Sequence, residues 1–143
     1  MEYNGGNIRI EDIENLNLLD IQEVATIISL ISDVLSYQAV QQSRELIYIK
    51  YTGIDAKEPI PDETVFQSVN LYILAKFLFT SVGFIRYNNL YNQSLEGDFD
   101  HSLTPNIEIN IGNIFGLIGL MFLYNGAKGF IIRDANLLSF GVR

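Results

Sequence analysis

The most regular pattern of polar and apolar positions in the chain lies between residues 21 and 36. Polar residues recur there in steps of four and three, and most positions between them are aliphatic or alanine. Such steps place residues on one face of an α-helix. The pattern predicts an amphipathic helix near residues 20–44 with Ile28 and Ile31 buried. The polar positions expected to face solvent are Gln22, Thr26, Ser29, Asp33 and Ser36.

Two further helices are predicted, near residues 62–91 and 109–125. The first begins with Pro61 and two acidic residues, which suit the first turn of a helix, and its middle is apolar on almost every side. The second has no charged residue between Glu108 and Lys128. The pairs Asn125-Gly126 and Lys128-Gly129 predict its end, because glycine commonly follows the last turn of a helix.

The segments outside these helices have less decisive patterns. Residues 1–7 are expected to be flexible, and residues 8–13 alternate between isoleucine and charged residues as a short strand would. Residues 45–52 and 130–142 are rich in β-formers but fit a strand or a helix. The prediction is therefore one mainly α domain over residues 1–143, a compact bundle of about three long helices with short extended or β-like segments near the termini.

Composition narrows the class of protein. The 143-residue chain is 48% hydrophobic and only 18% charged, which excludes a disordered polymer. Nine basic residues are scattered without a cluster and the formal charge is −8, so no nucleic-acid partner is expected. Cysteine is absent, which excludes disulfides and thiolate chemistry. The N-terminus lacks a signal-peptide pattern, and a cytoplasmic location is the expectation.

Candidate catalytic and metal-binding residues are few. His101 is the only histidine, and no nucleophile elbow accompanies it. Glu96, Asp98 and Asp100 have the spacing of the first calcium ligands in an EF-hand loop. That motif requires glycine at its sixth position and glutamate at its twelfth, where this chain has His101 and Ile107. No catalytic residue, metal site or cofactor is therefore predicted, and the chain is expected not to be an enzyme.

Three glycines on one face of the third predicted helix are the candidate interface residues: Gly112, Gly116 and Gly119. Glycine inside a helix costs about 1 kcal/mol relative to alanine, so three of them need a compensating reason. Close approach of another helix supplies one. We therefore predict helix packing at this face, either within the fold or between protomers.

The three apolar stretches also allow three transmembrane spans. Lys and Arg would number three in the first connection and three at the C-terminus, against Arg9 and Arg86 on the other side, which follows the positive-inside rule. Against this stand Glu23, Asp33 and Lys76, since each charge costs about 2.5–3.5 kcal/mol at a bilayer centre. On this balance a soluble protein is favoured over a membrane-embedded one.

These observations indicate a non-catalytic structural or protein-interaction component that acts through self-association, as a homo-oligomer, or through a stable protein partner. A chain with so many apolar residues must cover its apolar surface, and binding to a partner is one means of doing so. Two alternatives stay open. One is a small membrane-embedded subunit of a larger complex, with up to three spans. The other is an acidic inhibitor or immunity-type protein that masks a basic partner.

Overall fold

Three long α-helices make up the fold in a computed structural model of the chain, which describes residues 10–53, 58–97 and 101–139. Helix α1 spans Ile10–Thr52, α2 spans Pro61–Glu96 and α3 spans Thr104–Ser139. No strand occurs in the described ranges. The predicted mainly α bundle of three long helices is confirmed. The extended segments predicted near the termini are helical wherever they are described, at residues 10–13 and 130–139, as are residues 45–52.

The helix ends follow local chemistry. Gly53 (φ 66°) ends α1 and its N–H donates to the Ile49 carbonyl at 3.1 Å. Gly97 (φ 81°) ends α2 in the same left-handed conformation, and its N–H donates to the carbonyl of Gln93. These are glycine C-caps, in which the absence of a Cβ permits positive φ. Pro105 lies in the first turn of α3, where its missing N–H costs nothing.

All three helices are longer than the sequence patterns predicted. Helix α2 continues to Glu96 and α3 already begins at Thr104, so the connection between them is shorter than the interval between the predicted helices, which end near residue 91 and begin near residue 109. The predicted stop of the third helix is wrong, because Gly126 and Gly129 lie inside α3 and neither has positive φ.

Helix α2 lies between the other two and runs antiparallel to both. Along α1 and α2, Gln42 contacts Thr64 and Ser32 contacts Ser68, so rising numbers in one helix meet falling numbers in the other. The same order holds between α2 and α3, where Phe66 meets Tyr124, Lys76 meets Asn113 and Gly83 meets Asn110. Within the described ranges α1 and α3 pack against α2 and not against each other.

Candidate functional site

The interface between α1 and α2 is built from small and polar side chains. Ser32 and Ser68 are 0% and 1% exposed, and their hydroxyl oxygens lie 3.0 Å apart. Each hydroxyl also donates to the other residue's carbonyl, at 2.7 and 3.0 Å, and Ser36 joins through a 2.7 Å contact with the Ser68 hydroxyl. Because serine is short, the two backbones approach closely, and the reciprocal bonds satisfy the buried hydroxyls.

The face of α1 that packs on α2 also repeats in steps of four and three, but it is not the predicted face. Fully buried members alternate with half-buried polar ones. The buried members are Leu18, Ala25, Ser32 and Ala39, and the polar half-buried members are Gln22, Ser29 and Ser36. The expectation that Gln22, Ser29 and Ser36 face solvent is therefore wrong, whereas Thr26 and Asp33 are exposed as predicted. Ile31, which was predicted to be buried, is 49% exposed, and Ile28 is half-buried.

Amide side chains and one lysine cross the second interface, between α2 and α3. Lys76 Nζ donates to Asn113 Oδ1 at 2.8 Å, and Asn110 Nδ2 donates to the Gly83 carbonyl at 3.3 Å. A Cβ added at Gly83 would meet Asn110 Oδ1 and lie 3.2 Å from Asn113 Nδ2. Gly83 is therefore the residue whose small size admits both asparagine side chains, a role that its isolated position in the sequence did not reveal.

The three candidate glycines of α3 have different surroundings. A Cβ added at Gly116 would lie 2.5 Å from Lys76 Cε and 3.1 Å from its Nζ, so this glycine makes room for the lysine. At Gly112 and Gly119, in the part of the chain that the structure describes, no atom beyond the local helix backbone lies within 4 Å of such a Cβ. Contact of Gly112 and Gly119 with a helix outside this chain stays a prediction.

Large apolar side chains cover the outer surfaces of all three helices. They include Val34 at 65% exposed, Phe115 at 68% and Phe122 at 74%. The accessible surface is 10,940 Å², about half as large again as the ~7,500 Å² typical of a folded monomer of 16.2 kDa. Small and polar residues, with Leu18, Val69 and Val82, thus fill the interior of the bundle, and much of the aliphatic and aromatic side-chain area lies outside.

Two of the helices are long and apolar enough to cross a bilayer, namely α2 and, in α3, the segment from Thr104 to Arg133. Core helices of soluble proteins pass the same test, but they are mostly buried. In the most apolar 18-residue segment of α2, 28% is buried inside the fold. In the corresponding segment of α3, only 6% is buried. Neither helix is at the N-terminus, where a signal sequence would lie.

The remaining candidates for chemistry do not converge on one place. His101 is exposed in the connection between α2 and α3, and Glu96 is exposed at the end of α2. Asp98 and Asp100 lie outside the described residues. Across the described ranges, no group of three or more His, Asp or Glu side chains is placed to hold a metal ion.

Comparison with known proteins adds no assignment. The chain matches no protein-family model, and neither a curated protein nor a solved structure is significantly similar to it.

Proposed function

We propose that the protein is a small membrane-embedded helical subunit that acts without catalysis, through association with other membrane proteins or with further copies of itself. The observation that carries this proposal is the reversed distribution of side chains. Alanine, serine, threonine, asparagine and glycine lie between the helices together with a few larger apolar residues, whereas most isoleucine, leucine and phenylalanine side chains point outward. The larger buried apolar residues are Leu18, Val69 and Val82. In lipid, helices associate through small and polar residues, because outward aliphatic side chains already have apolar surroundings.

The register of the helices supports the same proposal. Each has a stretch of about 20 residues with at most one charge, which is the length that spans a hydrocarbon core. The stretches of α2 and α3 are also apolar enough to do so, whereas that of α1 is rich in serine and glutamine. These stretches are residues 24–43, 64–85 and 109–127. The antiparallel contacts bring them to one level. Phe66 meets Tyr124 near one end, and Gly83 meets Asn110 near the other.

The two charges inside these stretches are both hydrogen-bonded to a neighbouring helix. Asp33 of α1 accepts a hydrogen bond from the Tyr72 hydroxyl of α2, and Lys76 donates to Asn113 of α3. Ionisable residues within transmembrane segments commonly pair in this way. These partners offset part of the insertion cost that favoured a soluble protein from sequence alone.

The basic residues agree with one orientation. The end of α1 and the end of α3 lie at the same end of the bundle and carry Arg44, Lys50, Lys128 and Arg133. At the opposite end, Arg86 is the basic residue of α2. The positive-inside rule then places the α1–α2 connection and the C-terminal end of α3 in the cytoplasm.

Alkaline carbonate extraction of cell membranes tests the proposal, and we expect the protein to stay in the pellet. Because the chain has no cysteine, single cysteines can report topology without background. With an impermeant maleimide, Glu58→Cys and His101→Cys should label from opposite sides of the membrane. Ile118→Cys, in the middle of α3, should resist labelling until detergent is added. Release by carbonate, with Ile118→Cys labelled in the intact preparation, contradicts the proposal.

A soluble component that covers its apolar surface with a protein partner or a second copy is the second candidate. The uncovered surface at Gly112 and Gly119 favours this second candidate, because a helix from another protomer would fit closely there. Under this alternative the neutral, detergent-free soluble fraction would contain the protein in a complex larger than 16.2 kDa. Size-exclusion chromatography of that fraction separates the two candidates.

A further inference from the structure

One end of the bundle contains a polar cavity between the three helices. Its volume is about 250 Å³, and its polar lining comes from Gln22 of α1, Arg86 of α2, and Asn106, Asn110 and Asn113 of α3. Apolar side chains, Val82 and Ile109 among them, complete the wall. Carboxamides from two outer helices and a guanidinium from the central one thus line a single space.

Two residues that line this cavity each have a buried side-chain oxygen with no hydrogen-bond donor among the described residues: Gln22 Oε1 and Asn110 Oδ1. Asn110 is only 5% exposed, its Nδ2 donates to the Gly83 carbonyl, and its Oδ1 also lies close to Gly83, where a Cβ would meet it. A buried acceptor without a donor costs about 1–3 kcal/mol, so two at one cavity indicate that a donor normally occupies it.

Arg86 determines the charge of that occupant. Within the described part of the chain it makes no hydrogen bond or ion pair, and it is the only charged residue that lines this cavity. Arg86 also lines an adjoining cavity of about 360 Å³ together with Glu14. A guanidinium binds phosphate well, because its planar donors match the oxygen atoms of the anion. The fitting ligand therefore combines an anionic group with hydrogen-bond donors.

The position of the cavity indicates whether such a ligand is a lipid or a soluble molecule. Arg86 and Glu108 mark the charged boundary of the apolar stretches of α2 and α3, and Glu23 marks that of α1. The cavity is at this level, where lipid headgroups lie if the proposed membrane location is correct. Basic pockets between transmembrane helices are known to hold lipid headgroups.

We propose that this cavity binds the headgroup of phosphatidylglycerol, an inference that rests on the proposed membrane function. The phosphate accepts from Arg86, and the two glycerol hydroxyls donate to Asn110 Oδ1 and Gln22 Oε1. Phosphatidylcholine is the matched comparison, since it carries the same phosphate but no headgroup O–H or N–H.

Lipid retention measures this binding directly. The full chain is reconstituted with equal amounts of phosphatidylglycerol and phosphatidylcholine, purified in mild detergent, and its bound lipids are quantified by mass spectrometry. We expect about a tenfold preference for phosphatidylglycerol, which is what one or two added hydrogen bonds provide. Equal retention of the two lipids by the wild-type protein overturns the inference.

Substitutions test which side chains contact the lipid headgroup. Asn110→Leu and Gln22→Leu should each move the preference toward parity, whereas Arg86→Gln should lower retention of both lipids. Gln38→Leu, an exposed position of α1 outside the cavity, is the matched control and should keep the full preference. If Asn110→Leu does not fold, Gln22→Leu still decides. A preference that survives both leucine substitutions contradicts the assignment.

Two further ligands test whether the bound donors are hydroxyls and whether the occupant is a lipid. Phosphatidylethanolamine retained above phosphatidylglycerol would overturn the assignment of hydroxyl donors. Soluble glycerol 3-phosphate that displaces the lipid at equal concentration would overturn a lipid as occupant. Carbonate extraction keeps the two proposals distinct. If the protein stays in the membrane but shows no lipid preference, only this inference is wrong. If carbonate releases the protein, the proposed function is wrong.

Discussion

Lys76 of α2 donates a 2.8 Å hydrogen bond to Asn113 Oδ1 of α3. The lysine side chain lies against Gly116, the one position where a Cβ would come within 2.5 Å of Lys76 Cε. Lysine, asparagine and glycine therefore form one unit between α2 and α3. The unit explains how a charge is accommodated there and how the glycine makes room for it.

Substitution of Gly116 by leucine is predicted to destabilise the fold. The new side chain displaces Lys76 and breaks its bond to Asn113. Overpacking costs about 1–3 kcal/mol, and a lost hydrogen bond to a charged group about 1.5–3 kcal/mol. The better helix propensity of leucine returns less than about 1 kcal/mol. Thermal unfolding of the purified protein should show a lower Tm.

Gly112→Leu is the matched control, because among the described residues no atom outside the local helix backbone lies within 4 Å of a Cβ at that position. The Tm of the isolated protomer should not fall. If Gly112→Leu instead dissociates an oligomer, the predicted contact of the glycine face with another helix is supported. A Gly116→Leu protein as stable as the wild type contradicts the packing of Lys76 against this glycine.

The serine contact between α1 and α2 gives the second prediction. Ser68→Leu should separate the helices, because the Ser68 side chain is 1% exposed and its hydroxyl bonds to Ser32. We expect a loss of about 1–3 kcal/mol from overpacking. Ser68→Ala should cost less, about 0.6 kcal/mol for a typical interhelical hydrogen bond in a membrane. Thr26→Leu, on the exposed face of α1, is the control and should unfold at the wild-type temperature.

Periodicity predicted the existence of the three helices, but not the face that packs. In α1 a polar row in steps of four and three was expected to meet water. Instead, the packed row follows the same steps through Ser32 and shares Gln22, Ser29 and Ser36 with the predicted row. Steps of four and three identify a helix in water and in lipid alike. Which face turns inward depends on the surrounding medium, and the pattern does not contain that information.

The end of the third helix was predicted wrongly for a different reason. Gly126 and Gly129 suggested a stop, yet both are inside α3, whereas Gly53 and Gly97 end helices with positive φ. A glycine permits the left-handed conformation without requiring it. The polar contacts of Lys76, Asn110 and Ser68 were also missed, because each joins residues that are distant in sequence and becomes visible only from the register of the helices.

Removal of divalent metal is predicted to leave stability unchanged. Glu96, Asp98 and Asp100 have calcium-like spacing but lack the glycine and glutamate that complete such a loop. A ligand that binds only the folded state raises Tm, and its removal lowers it. The measurement is thermal unfolding before and after a chelator. A drop in Tm that added calcium restores would establish a metal site at these residues.

The sharpest prediction concerns Phe115, which is 68% exposed in the middle part of α3. In water, Phe115→Asp would remove exposed apolar area and change stability by less than about 0.5 kcal/mol, as surface substitutions usually do. In a bilayer, the same change puts an unpaired carboxylate against lipid at a cost of about 2.5–3.5 kcal/mol. The two environments therefore predict different outcomes for one substitution.

We expect Phe115→Asp to lower the amount of protein in the membrane fraction and to reduce its stability in detergent. Phe115→Leu keeps the surface apolar and should behave as the wild type. Asn125→Asp adds the same charge near the end of the uncharged stretch, at an exposed position, and should be tolerated because depth in the bilayer sets the cost. If Phe115→Asp accumulates as a soluble protein with unchanged stability, water and not lipid surrounds this face of α3.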